Sequence, residues 1–128
     1  MPSQKYIDKI ADPTPELRVA LDDLAAQWSP SPLPSTIAAA CLADTLVSNI
    51  SRIPVNAVKV IFGLCEEALQ QGSADDKADI ATGFLEALQN ADSSGHFDFT
   101  TIVAFLGSAS KEHCRGMDRF YGVTTSGL

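Results

Sequence analysis

The stretch NADSSGHFDFTT, residues 90–101, places oxygen-bearing side chains at alternate positions, a glycine sixth and an apolar residue eighth. That is the outline of a calcium loop, in which hard oxygen ligands wrap the ion around a glycine turn. Asn90, Asp92, Ser94 and Asp98 are the ligands such a site would use. The set is deficient. Position twelve, where a bidentate glutamate normally supplies two oxygens, is Thr101, and position one is a neutral amide. Gln89 precedes the loop where an apolar residue belongs, and no second loop pairs with it. The same residues make a good turn: Asn90 closes one helix, DSSG supplies turn chemistry, and Asp98 caps the next helix. The turn is the better reading, with the weak calcium site as its alternative.

Other groups with chemical potential are scattered. His113 adjoins Cys114, but neighbouring residues on a helix point about a third of a turn apart and cannot act as nucleophile and base. Two histidines and the cysteines Cys41, Cys65 and Cys114 show no zinc-ligand spacing. Glu66–Glu67 and Glu112–His113 do not make the Glu-x-x-His pattern of di-iron bundles. There is no phosphate-binding glycine loop and no nucleophile elbow. A non-enzymatic protein without a cofactor is expected.

Charge is the more informative signal. The formal net charge is −7. Residues 60–110 carry eight acids, Glu66, Glu67, Asp75, Asp76, Asp79, Glu86, Asp92 and Asp98, against one base, Lys77, while the remainder of the chain balances. Such a field repels nucleic-acid phosphate and attracts basic proteins. Glu66, Glu67, Asp75, Asp76, Asp79 and Glu86 are therefore the candidate partner-binding face, the partner being a basic protein rather than nucleic acid or membrane. Lys111, Arg115 and Arg119, at i, i+4 and i+8, form a small basic ridge that is expected to pair with nearby carboxylates.

These residues must be positioned by helices, because the apolar periodicity is helical nearly throughout. Thr14, Pro15 and Glu16 open a helix whose stripe is Leu17, Leu21, Leu24 and Trp28, and SPSPLPS ends it. A second, from Ser35 to about Ile50, turns Ile37, Cys41, Leu42, Leu46 and Ile50 inward, with an alanine run suited to close packing. A third starts near Pro54, buries Val58, Ile61, Phe62, Cys65 and Leu69, and closes at Gly72 in the left-handed capping role. Ser73 and Asp76 then stand in capping-box spacing before a stripe of Ile80, Phe84 and Leu88. FTTIVAFLG is a short helix stopped by Gly107, and a last helix turns Cys114, Met117, Phe120 and Tyr121 inward and ends at Gly122. Residues 1–13 form either a short extra helix or a loose arm, and 123–128 a tail.

The 128 residues suffice for one core, roughly two-thirds of the unfolded surface being buried at this size. Three widely spaced cysteines fit reduced thiols in helices. No apolar run approaches the ~18 residues of a membrane span, and the start has no signal-peptide core, so a cytoplasmic protein is expected.

The last quarter, FLGSASKEHCRGMDRFYGVTTSGL, resembles small bacterial helical proteins: an apolar helix ending in Leu-Gly, a serine turn, then an aromatic-and-acid helix closing in Asp-x-x-x-Gly. Such proteins look like immunity partners of bacterial toxins. The resemblance carries no catalytic motif and implies a binding protein. The expectation is an all-α single domain of about six antiparallel helices, in a bundle or short helical-hairpin stack. Its expected role is a cytosolic immunity-type inhibitor of a basic toxin domain, with a helical adaptor or regulatory module, monomeric or dimeric, as the alternative.

Overall fold

A computed structural model describes residues 5–128. They form an all-α single domain. Helix α1 (Tyr6–Lys9) is followed by α2 (Pro15–Trp28), α3 (Ser35–Asn49) with a 3₁₀ turn (Ile50–Arg52), and α4 (Val55–Gln71). Next come α5 (Ala74–Ala78), a π segment (Asp79–Leu85) and α6 (Glu86–Ser93). These three share right-handed helical backbone at every junction and run as one helix. Helices α7 (Thr100–Val103) and α8 (Ser108–Tyr121) complete the chain. That makes seven helices among the described residues, five of them substantial, and no strand.

Local chemistry sets most boundaries. The Thr14 hydroxyl accepts from the Leu17 amide at 3.1 Å, with Pro15 at the first helical position where it has no bond to lose. Ser73 and Asp76 exchange reciprocal bonds in a full capping box. Gly122 ends α8 at φ 67°, a left-handed turn that a Cβ would strain. Gly72 does not play that part. Its φ is −73°, and what requires glycine is space, since a Cβ would stand 2.5 Å from the Ala68 carbonyl oxygen.

The core gathers Leu17 and Leu21 of α2, Leu42 and Leu46 of α3, Ile61, Phe62 and Cys65 of α4, Ile80, Phe84 and Leu88 of the long helix, and Cys114 of α8. Phe62 and Phe84 meet with ring centroids 6.1 Å apart. Of the stretch 1–13, residues 5–13 are described and take the helix alternative, and residues 1–4 lie outside the described residues. Ile7, Ile10 and Ala11 are buried, and the Arg18 guanidinium holds α1 by bonds to the Asp8 carboxylate and carbonyl and to Asp12. The alanine run of α3 packs Ala38, Ala39 and Ala43 inward, and Gly83 of the π segment approaches so closely that a Cβ there would meet the Ala39 Cβ at 2.7 Å.

Some periodic positions fall outside the core. Trp28, Ile37, Phe120 and Tyr121 are exposed, because the last turn of α2, the first of α3 and the end of α8 have no neighbour over them. Helix α7 stops at Val103 rather than running to Gly107, and Gly107 instead forms the N-cap of α8. The tail is fastened: Thr125 is buried, and Asp118 and Asp92 accept bonds from Thr125 and Ser126. No described helix is long and apolar enough to cross a membrane.

Candidate functional site

The six carboxylates expected to share one face divide into two groups. Glu67, Asp75 and Asp76 lie at the corner where α4 hands over to α5. Glu67 and Asp75 are exposed, and Asp76 is half-buried in the capping box with Ser73. Tyr6 of α1 reaches the same corner. Its phenol hydrogen-bonds Glu67, and that bond, with the negative charges of Glu67 and Asp76, raises its pKa above the ordinary tyrosine value. Lys9 sits 4.5 Å over the Tyr6 ring, so the corner has one cation at its edge.

Glu66, Asp79 and Glu86 are not available in the same way, which corrects the expected face. The Glu66 carboxylate accepts from the amides of Ala109 and Ser110 and from the Ser110 hydroxyl, all at 2.9–3.0 Å. It caps α8 from another helix, satisfying amides that no residue of α8 can reach. Burial works against its ionisation, but the two amide bonds, with Gln70 and the Ser110 hydroxyl, outweigh it and hold the carboxyl below the usual range. Asp79 is 5% exposed, and its Oδ2 has no hydrogen-bond partner. It begins the π segment on the inward side, where the helix packs on α3. Glu86 is half-buried and faces His113, with Oε2 3.3 Å from Nε2. That separation is within ion-pair reach but lacks hydrogen-bond alignment.

The calcium-like stretch is occupied by its own protein. Helix α6 continues to Ser93, three residues beyond the expected stop at Asn90, so Asn90 and Asp92 stand on a helix. Asp92 accepts from the Phe99 amide through one oxygen and from Ser126 through the other. Asp98 accepts from the Thr100 amide and hydroxyl, which holds its carboxyl below the ordinary aspartate value. Ser94 bonds the carbonyls of Asn90 and Ala91 and the His96 ring. Among the described residues, no three of His, Cys, Asp and Glu converge as metal ligands would.

Between α6 and α8 lies a polar cluster that sequence reading did not single out. Gln89 is 6% exposed, and its Nε2 donates toward the Cys114 carbonyl, Asp118 and the Thr125 hydroxyl. Its register was the available signal, since it follows Leu85 by four on the inward side. The adjoining cavity, of about 30 Å³, is bounded by Glu86, Met117 and Tyr121 and has room for a water but not for an organic ligand. The two buried cysteines, Cys65 and Cys114, are inert. Burial pushes the thiols of Cys65 and Cys114 up, the latter to about 12, and all three cysteines are free. His113 reaches Glu86 while Cys114 enters the core, so the pair does not act together.

Lys111, Arg115 and Arg119 differ from expectation as well. No described carboxylate lies within ion-pair distance of any of them.

The profile of a family described as Domain of unknown function (DUF7674) matches residues 7–122, nearly the whole chain. The chain belongs to that family. The match spans every helix from within α1 to the glycine that ends α8, so the carboxylates of the acidic corner, the Glu66 cap and Gln89 itself lie inside the family's domain, while Tyr6 and Thr125 fall just outside it. Among curated proteins and solved structures, none matches significantly.

Proposed function

We propose that the protein is a non-enzymatic protein-binding protein, an immunity-type inhibitor that covers a basic toxin domain. The observation that carries the reading is the corner of Glu67, Asp75 and Asp76, carboxylates brought together from two helices, with Glu67 and Asp75 exposed and Asp76 half-buried. A partner approaching it meets the negative field of these carboxylates, with Lys9 at the edge of the corner and Lys77 the one base in residues 60–110. Long-range attraction of this kind accelerates encounter, while packing at the centre of the interface sets the lifetime of the complex. Glu66 supports the corner from inside by holding α8 to α4.

Affinity capture from a native lysate at low and high salt, read by mass spectrometry, identifies the partner for kinetic work. Glu67→Lys, Asp75→Lys and Asp76→Lys together should then lower the association rate by roughly 10- to 100-fold at low salt and flatten its salt dependence. Association that is unchanged in rate and salt response by the triple variant would sink this face.

A further inference from the structure

We propose that the exposed C-terminal end of α8, from Arg115 through Val123, is a second docking surface, for a protein segment that presents carboxylates around an apolar side chain. Ser110 and Cys114 of α8 are buried, so the helical period turns Arg115 and Arg119 to the opposite side, where both are exposed. Beyond them Phe120, Tyr121 and Val123 are exposed at 78%, 64% and 46%, and the two rings meet edge to face at 5.0 Å. Apolar side chains scattered singly over a surface are ordinary, but three within four residues beside unpaired guanidinium groups are the composition of an interface centre. A cleft next to them is lined by Arg115, Arg119, Val123 and Leu128. Asp118 also borders it, but its carboxylate is engaged by Thr125 and Gln89, which leaves the guanidinium groups as the charge on offer.

Charge selects the occupant. In a chain of net charge −7, Lys111, Arg115 and Arg119 are three cations within nine residues with no ion pair among the described residues. A symmetric pair of α8 helices would set these cations against their own copies, and three cations are a smaller basic surface than a nucleic-acid footprint requires. Carboxylates flanking an apolar anchor satisfy both halves of the surface: the acids pair with Arg115 and Arg119, and the anchor covers Phe120 and Tyr121. This surface stands on its own residues and does not rest on the acidic corner.

The test is an NMR titration of the ¹⁵N-labelled full chain with a blocked synthetic peptide in which glutamates flank a Trp-Leu pair, alongside the same peptide with lysine replacing glutamate. Shifts confined to residues 115–124, from the glutamate peptide alone, are the expected result. Binding should weaken by roughly tenfold or more in Arg115→Glu/Arg119→Glu and again in Phe120→Ser. All three residues are solvent-facing, so the variants should keep the wild-type melting temperature, which separates lost binding from lost folding. No shifts, shifts elsewhere, or an equal response to the lysine peptide would overturn the proposal. So would preferential binding to vesicles of anionic lipid, or an oligomer that forms through this face without peptide.

Discussion

Glu66 does from a neighbouring helix what an N-cap side chain usually does from within. Gly107, the residue at the cap position of α8, has no side chain to offer, and a Cβ there would collide with the Glu66 carboxylate that takes its place. Replacing Glu66 with glutamine keeps the size but weakens acceptance from Ala109 and Ser110, and should cost about 1–2 kcal/mol in chemical denaturation at neutral pH. The sign of the pH dependence follows from the depressed folded pKa. Glu66 contributes fully above its unfolded value, roughly pH 4.3, and the contribution is lost as pH falls through the lower folded value. The wild-type and glutamine curves should therefore converge in acid. A constant gap down through that range would mean that the carboxylate charge is not what holds α8.

Among the elements, α3 and the π segment approach closely at Gly83, where an added Cβ would stand 2.7 Å from the Ala39 Cβ. Gly83→Ala should cost about 1–3 kcal/mol, because the added methyl meets Ala39 in a packed interior. Ala39→Gly in the same chain should return part of that loss, and a fully additive double variant in thermal melts would refute the direct clash. Much of this architecture was legible in the residues. The stripes of α4 and the long helix, the caps at Thr14 and Ser73, and the stop at Gly122 are local signals, and each is found, while of the α3 stripe Leu42 and Leu46 are buried. The π segment was not legible, since a spacing of four from Ile80 to Phe84 to Leu88 suits either helix type. Periodicity also says which side of a helix is apolar without saying whether anything lies against it, hence the exposure of Trp28, Ile37 and Phe120. The candidate site was half legible. Counting acids located the corner, but the diversion of Glu66 to residues 109 and 110 is a long-range event with no local trace.

At the scale of the whole molecule, three cysteines report on how the fold opens. Cys41 is half-buried on α3, while Cys65 and Cys114 are buried on α4 and α8 with thiols held protonated. A thiol reagent at neutral pH should modify Cys41 in the native protein and reach the other two only at the rate of global unfolding. Prompt reaction of all three would show that α8 leaves α4 without unfolding the rest. The same scale separates the two proposed surfaces, since one draws on the excess of carboxylates and the other on cations that excess has not neutralised.

The clamp of Glu66 on the first turn of α8 also bears on hydrogen exchange. Amides in the first turn of a helix ordinarily trade protons with solvent freely, having no carbonyl behind them. Those of Ala109 and Ser110 are held by α4, so their exchange clock is set by the parting of two helices rather than by the fraying of one.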